Sequence, residues 1–336
     1  MRERLGAAVR GWDPDPRALG AAAARRAVDE AAATPSEALV GADAAFVAAP
    51  VAALPQAVAT VLEAAGRDCV VSDVGSTKRA VVAACGEPRF VGGHPLAGAE
   101  TAGVEHARAD LFDGATWYLT PTPEVEGMLY ERLHHLVTGL GAQPAAIDAV
   151  AHDRLLANVS HLPHVLANVL VAQAAASLQD ESLPATGPSF RDATRVAGAN
   201  SGIWTDIYLS NRDALIAQID ETVGRLHDVR ATLRTGDREA VTAWNDAAAG
   251  DRRRLLEADL AGGPVHELRV SVPNRPGVIA QIALELGRQG VNITDMALYP
   301  AADMREGVVA LWVRGDEPAD RAAALIGSLD LPVTRP

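Results

Sequence analysis

The sequence predicts an α/β protein with a doubly wound sheet, then an all-helical segment, then a small C-terminal βαββαβ unit. Three observations carry this. Up to Asp148, short apolar runs alternate with helical patterns, as in a sheet with crossover helices. From Ala149 to Leu260 the strand signal vanishes and long helical patterns take over. From Val265 the apolar period drops back to two, with Leu268, Val270 and Val272 alternating with Glu267, Arg269 and Ser271.

In the first region, residues 1–148, the candidate strands are Ala7–Trp12, Ala44–Ala49, Val70–Val74, Phe90–Val91, Thr116–Leu119 and Ala145–Ile147. The helical stretches between them include Leu54–Ala65, Lys78–Cys85 and Glu124–Leu140. Met1–Leu5 followed by Gly6 reads as the last turn of a helix closed by a glycine. The second region, residues 149–260, is broken by a Gly/Pro-containing loop at Leu183–Ser189. Its long apolar helices exceed what one small domain buries, which predicts a homodimer. Gly262-Gly263-Pro264 reads as a linker. In the third region, residues 265–336, Pro276-Gly277 turns the chain, and Val278, Ile282 and Leu286 share one helical face that ends at Gly290. Strands at Val291–Leu298 and Val308–Val313, a helix at Ala319–Ile326 and a last strand at Leu331–Thr334 complete the unit.

The 336 residues carry 30 Lys+Arg against 43 Asp+Glu, a formal charge of -13. That balance argues against nucleic acid or an anionic membrane as partner, and leaves room for an anionic small substrate held by a few placed arginines. Two cysteines, Cys69 and Cys85, rule out a disulfide framework and fit a reducing compartment. Met1 is followed by Arg2, Glu3 and Arg4 with no apolar h-region, and the longest apolar run, from Val165, is interrupted by Asn168 and Gln173. No run reaches the ~18 residues of a membrane span, and the expected location is the cytoplasm.

Three segments carry chemistry. The strand in "AAVRGWDPDP" ends in Asp13, where a dinucleotide fold places the carboxylate that binds the adenosine ribose; the same Asp followed by Pro14 also suits a turn. The G-x-G-x-x-G fingerprint belongs ~20 residues upstream of that carboxylate. Twelve residues precede Asp13 and hold no such motif, so the chain reads as beginning inside the first crossover helix. The single Gly-x-Gly, Gly139-Leu140-Gly141, follows a helix instead of opening one. In "VVSDVGSTKRAVV" (Val70–Val82) a strand runs through Asp73 and Ser76 into a helix that Ser76 or Thr77 can cap, with Lys78 at the same mouth. In "RFVGGHPLAGAETAGVE" (Arg89–Glu105) a glycine pair delivers His94 to the carboxyl end of a strand, with Glu100 shortly after.

Bland readings stand beside these. His152, His161 and His164 with Asp153 lack a metal-site pattern, and no metal is expected. His134 and His135 read as a solvated helix face, and Arg252–Arg254 likewise.

"DVGSTK" and "FVGGHPLAGAE", followed by "ADLFDGATWYLTPT", "HDRLLANVSHLPH" and "FRDATRVAGANSGIWTDI", resemble in order and spacing the prephenate and arogenate dehydrogenase family. "NRPGVIAQIALELGRQGVNI" resembles an ACT domain, the small fold that binds amino acids. The resemblance implies an N-terminally truncated Rossmann-type sheet lacking its first strand and Gly-rich loop, an all-helical dimerisation domain and a C-terminal ACT domain. It implies NAD-dependent oxidative decarboxylation of prephenate to 4-hydroxyphenylpyruvate in tyrosine biosynthesis. His94 is then the group that takes the ring-hydroxyl proton, and Ser76 bonds the same hydroxyl or His94. Arg195 binds the substrate side-chain carboxylate, with His164, Glu100 and Trp204 completing the pocket. Asp13, Pro50, Asp73 and Ser76 fall on the cofactor side, and NAD is preferred because a carboxylate at Asp13 repels a 2′-phosphate. In the ACT domain Asn274, Gly277, Val278 and Asn292 are the implied effector residues, with tyrosine the effector. "ATGPSF" (Ala185–Phe190) is less glycine-rich than the family's loop here. An arogenate dehydrogenase, or a non-catalytic amino-acid-binding protein, stays open at this level.

Overall fold

A computed structural model describes residues 1–98, 103–177, 187–257, 264–301 and 305–336. Helix α1 (Arg2–Leu5) closes on Gly6, whose left-handed φ of 61° turns its amide onto the Arg2 carbonyl. Strand β1 (Arg10–Gly11) is followed by α2 (Pro16–Ala24), which the Asp15 carboxylate caps, and by β2 (Glu30–Ala31). β1 and β2 pair in parallel as a two-stranded sheet of their own. β2 escaped the sequence reading because two exposed residues carry no alternation.

After α3 (Pro35–Ala38) come β3 (Ala44–Val47), α4 (Leu54–Ala64), β4 (Val70–Asp73), α5 (Arg79–Ala84) and β5 (Phe90–Pro95). Strand β6 (Thr116–Thr120), helix α6 (Gly127–Gly139) and strand β7 (Gln143–Ala146) follow. The sheet order is β3-β4-β5-β6-β7. All its pairs are parallel except β5–β6, which is antiparallel. Among the described residues between those two strands there is only a short turn at Val104–His106, no crossover helix of the kind a parallel pair needs. On one face Leu54, Val58 and Leu62, spaced four apart on α4, bury against Val71, Val81 and Phe90. Each such side chain is worth roughly 1.5–3 kcal/mol.

The helical region comprises α7 (Ala149–Leu156), a π-helical turn at Ala157–His161, α8 (Leu162–Ser177), α9 (Pro188–Thr194), α10 (Ser201–Ser210), α11 (Arg212–Thr235) and α12 (Arg238–Glu257). The chain divides into two compact units. One holds Met1–Asp153, Asn200–Ser210 and Val265–Pro336; the other holds Arg154–Ala199 and Asn211–Pro264. Thus α10 packs with the sheet-bearing unit, on the turn at Val51–Ala53, although the sequence placed it among the helices of residues 149–260. The run Ala149–Ser177 is long and apolar enough, by length and composition, to cross a membrane, with 28% of its apolar window buried. Asn168 and Gln173 do not interrupt it as the sequence reading supposed. Leu166, Val169, Leu170 and Val171 are exposed along it.

Strand β8 (Val265–Pro273), helix α13 (Val278–Arg288), strands β9 (Ile293–Pro300) and β10 (Glu306–Arg314), helix α14 (Asp316–Gly327) and strand β11 (Val333–Thr334) form the C-terminal βαββαβ unit. Its antiparallel sheet runs β11-β8-β10-β9. This unit does not keep a core of its own. Val91, Trp117 and Leu119 of the larger sheet and Leu129, Tyr130, Leu133 and Val137 of α6 join Ile279, Ile282, Leu286, Met296 and Leu311 in one apolar cluster.

Gly287 of α13 lies against the Ala146 backbone carbonyl, and a Cβ there would overlap that oxygen. Gly287→Ala gains about 1 kcal/mol of helix propensity, but it forces two packed backbones apart, a change that typically costs 1–3 kcal/mol. The expected net result is a destabilised protein with faster proteolytic release of the C-terminal unit. A raised melting temperature would show that α13 is not docked on β7.

Helix α6 also meets the edge of β9. The Leu298 amide donates to Glu131 at 2.9 Å, His134 Nε2 donates to the Ile293 carbonyl at 3.2 Å, and His135 lies 3.0 Å from Asp295. His134 is therefore buried, which corrects its reading as a solvated histidine. Burial pushes its pKa down to about 4. The imidazole is neutral in the fold, while the unfolded chain takes a proton near its ordinary value of 6.5. Stability is then full above that value and falls as pH drops from 6.5 toward 4, by ~3 kcal/mol in all. Denaturant midpoints measured from neutral pH to about pH 4 should show this slope, and His134→Gln should flatten it. An equal slope in the variant would refute the assignment.

Candidate active site

The site grows from the turn after β4. Asp73 is fully buried, and its carboxylate accepts from the amides of Gly75 at 2.8 Å and Gly93 at 3.1 Å. The ammonium of Lys78, also fully buried, completes its shell as an ion pair. Burial lowers the Lys78 pKa even though Asp73 pulls the other way. Two sequence expectations are corrected here. Lys78 is not at a ligand mouth, and Asp73 is not a cofactor ligand, because both of its oxygens serve the fold.

The α5 amides of Lys78 and Arg79 donate to the carboxylate of Asp153 on α7, at 2.7 and 3.0 Å. Ser76 and Thr77, the expected caps, do not take this role. The Thr77 hydroxyl instead lies 2.8 Å from that of Ser210 at the end of α10. Ser76 sits half-buried in the turn.

His94 lies within β5 rather than in the loop after it, opposite Tyr118 of β6, and is 8% exposed. The glycine before it is required by close approach. A Cβ on Gly93 would press on the Asp73 carbonyl, Ser72 Oγ and Trp117 Nε1. His94 Nδ1 is 2.9 Å from His152 Nε2, and His152 Nδ1 is 2.8 Å from Asp153 Oδ1. The Tyr118 ring meets the His152 ring edge-on, with centroids 5.6 Å apart. Burial lowers the His152 pKa, with Asp153 opposing it. For Asp153, burial acts upward, and hydrogen bonds from His152, Lys78 and Arg79 outweigh it, so its pKa is lowered. Sequence reasoning set this His-Asp pair aside as a weak metal candidate. The structure joins it to His94 across 58 positions, and its one sequence signal was its place in the segment that opens "HDRLLANVSH". Among the described residues no three His, Cys, Asp or Glu side chains cluster as metal ligands.

Trp204, on α10 in the same unit, stands half-buried against Tyr208 with ring centroids 5.4 Å apart. In the other unit, the turn Arg195–Gly198 packs on α8, which carries His164. Burial and then the Arg195 charge lower the His164 pKa, so these two residues are near neighbours. The π-helical turn just before α8 buries His161, whose Nδ1 lies 3.2 Å from Asn211 Nδ2. Glu100 lies outside the described residues.

On the cofactor side, Asp13 follows β1, is exposed, and accepts the Asp15 amide at 2.8 Å, so it also makes the expected turn. Pro50 follows β3 and opens the turn at Val51–Ala53. The position and chemistry of Asp13 fit the ribose hydroxyls of NAD. No G-x-G-x-x-G turn occurs in the 336 residues, so nothing of that kind is present to take the pyrophosphate.

In the C-terminal unit, Gly277, one of the implied effector residues, is covered at the start of α13. The Gly277 amide points at the Val125 carbonyl at 3.4 Å, and its α-carbon lies against Pro123. Packing against the Pro123–Val125 segment has put backbone carbonyls at the start of this helix. Val278 is buried, the Asn274 amide donates to Arg305 at 2.8 Å, and the Asn292 side-chain oxygen is buried with no partner among the described residues.

A mainly parallel sheet, a buried histidine near the carboxyl edge of its central strands and an appended ACT-type unit are the architecture of a dinucleotide-binding protein with a small C-terminal module. Family models agree. The prephenate dehydrogenase nucleotide-binding domain matches residues 1–145, the prephenate dehydrogenase dimerization domain 148–245 and the ACT domain 266–321. Prephenate dehydrogenase of Bacillus subtilis (strain 168) is 30% identical over 267 residues, which cover 77% of this chain and 72% of that protein. Cyclohexadienyl dehydrogenase of Zymomonas mobilis is 31% identical over 203 residues, covering 58% and 69% respectively. The crystal structure of prephenate dehydrogenase from A. aeolicus in complex with hydroxyphenyl propionate and NAD+ superposes with a TM-score of 0.68 at 25% identity, covering 76% of this chain and 91% of that one. The chain belongs to the prephenate dehydrogenase family. It is an NAD-dependent dehydrogenase with small-molecule ligands and a dimerisation domain.

Proposed function

We propose that the chain oxidises prephenate with NAD⁺ to 4-hydroxyphenylpyruvate, with His94 as the base that takes the ring-hydroxyl proton. The observation that carries this is His94 itself, buried beside the Asp73–Ser76 turn with one ring nitrogen engaged by His152. Bound NAD⁺ supplies the hydride acceptor, with Asp13 and Pro50 on its side of the site. As the hydroxyl-bearing carbon loses hydride, the O–H proton passes to His94. The ring carboxylate then leaves as carbon dioxide, its bonding electrons complete the aromatic ring, and the proton on His94 returns to the phenolate oxygen. Ser76 bonds the same hydroxyl, and Trp204 walls the pocket.

Arg195, with His164 beside it, is proposed to hold the side-chain carboxylate. Charge-assisted hydrogen bonds of this kind are worth ~1.5–3 kcal/mol, so Arg195→Ala should raise KM about 10- to 100-fold with a smaller effect on kcat. An unchanged KM removes Arg195 from the site.

The direct test is NADH formation by the purified chain with prephenate and, separately, arogenate. We expect turnover with prephenate. Turnover with arogenate alone would reassign the substrate, and none with either would overturn the reading.

The exposed apolar residues of α8 support a homodimer through the helical region. The unpartnered buried oxygen of Asn292 supports an effector site for tyrosine near Asn274 and Asn292. Tyrosine should then raise the melting temperature, and no shift with any aromatic amino acid counts against it. The two buried free cysteines support a cytoplasmic location.

A further inference from the structure

Asp153 takes three donors: the Lys78 amide at 2.7 Å and His152 Nδ1 at 2.8 Å on one oxygen, and the Arg79 amide at 3.0 Å on the other. An ionised carboxylate only accepts, so His152 must donate through Nδ1. His152 is fully buried, and that burial keeps it neutral, which leaves a lone pair on Nε2. The nitrogen 2.9 Å from that lone pair is His94 Nδ1, which must therefore donate. The proton count along the chain leaves one outcome for neutral His94: its proton sits on Nδ1 and its basic lone pair on Nε2.

We propose that His152 and Asp153 are positioning residues that fix His94 as the Nδ1–H tautomer and so make Nε2 the nitrogen that takes the substrate proton. This rests on the reading of His94 as the base. The charged and titratable groups around His152 are Asp153 of α7, Asp73 at the end of β4, Lys78 beside α5, His94 of β5 and Tyr118 of β6. With two carboxylates and one ammonium, this cluster carries a net charge of about -1 when both histidines are neutral. A proton gained by His94 brings it to neutrality, which favours the imidazolium that the reaction forms. Asp153 also caps α5, so the same carboxylate that sets the tautomer anchors the turn bearing Ser76.

The test reads the tautomer directly, by long-range proton–nitrogen correlation spectra of the imidazoles in the full chain, alongside kcat, KM and the pH profile of kcat/KM. Wild-type His94 is expected as the Nδ1–H form. In Asp153→Asn with the NH2 group in place of the oxygen that Lys78 and His152 share, the remaining oxygen keeps the Arg79 amide, the Lys78 amide loses its acceptor, and His152 Nδ1 faces a donor and must accept. His152 then donates from Nε2, and His94 turns to the Nε2–H form. The kcat should fall by ~10²–10⁴, since a wrong tautomer in a Ser-His-Asp triad costs about 10⁴. KM should stay within about threefold, and the acid limb of the pH profile should move.

His152→Gln keeps an acceptor toward His94 and a donor toward Asp153, and should retain the Nδ1–H form and most of kcat; His152→Leu should lose both. Wild-type His94 with its proton on Nε2, or loss of the Nδ1–H form in His152→Gln, overturns the inference. If Asp153→Asn does not fold, the wild-type and His152→Gln spectra still decide it. Because the tautomer is read without turnover, its failure is distinct from failure of the dehydrogenase reading.

Discussion

His94→Asn is expected to lower kcat by about 10²- to 10⁴-fold while KM changes by less than about threefold, the range that loss of a general base produces. Asparagine is the informative replacement. Its Nδ2 falls close to the place of the imidazole Nδ1, so the hydrogen bond to His152 survives and the cluster below stays satisfied. What disappears is the ring nitrogen that accepts a proton. The loss should stay within that range, because aromatisation supplies much of the driving force and the protein's chief remaining task is positioning. The pH profile separates the two contributions. Wild-type kcat/KM should rise with pH as His94 deprotonates, and the variant should lose that limb. A variant with wild-type kcat would refute the assignment of His94, whatever its KM.

How far the sequence went is clearest at that same residue. The glycine pair and the apolar run before His94 were legible as a local pattern, although what leaves no room for a Cβ on Gly93 (the Asp73 carbonyl, Ser72 and Trp117) lies on neighbouring strands. Its partners were not, because His152 is a lone histidine in a helical pattern and nothing local says which element it faces. The C-terminal unit was read nearly element by element, since each strand and helix there has one buried face and shows its period. That this unit shares its core with α6 was invisible. His134 looks like a polar-face residue until β9 is laid across it. The same holds for the reversed direction of β6 and for β2, whose pairing depends on partners elsewhere in the chain. Legibility here follows the range of the interaction: periodic burial is written locally, and the pairing of polar groups across elements is not.

Lys78→Met is expected to destabilise the sheet-bearing unit by about 3–5 kcal/mol, the usual result of removing one partner of a buried ion pair. Methionine matches the lysine stem in length and apolar character, so the loss is of charge and not of packing. Left behind is Asp73, fully buried, with two backbone amides to hold a full negative charge. Two amides do not replace an ammonium in a fully buried site, and the carboxyl must either stay charged at high cost or take a proton. At roughly 2–4 °C per kcal/mol for a unit of this size, the melting temperature should drop by about 6–20 °C. The pair itself is a poor stabiliser, as the downward pull of burial on Lys78 shows. Neutralising both members should therefore recover much of the loss. Asp73→Asn in the Lys78→Met background keeps an oxygen for the Gly75 or Gly93 amide and should regain about 2 kcal/mol. A double variant less stable than Lys78→Met alone would mean that the Asp73 charge is wanted in its own right. A single variant losing less than about 1 kcal/mol would mean that Asp73 is already protonated in the fold. The second outcome would also change the active site, because the cluster beneath His94 would lose the net negative charge that favours its imidazolium.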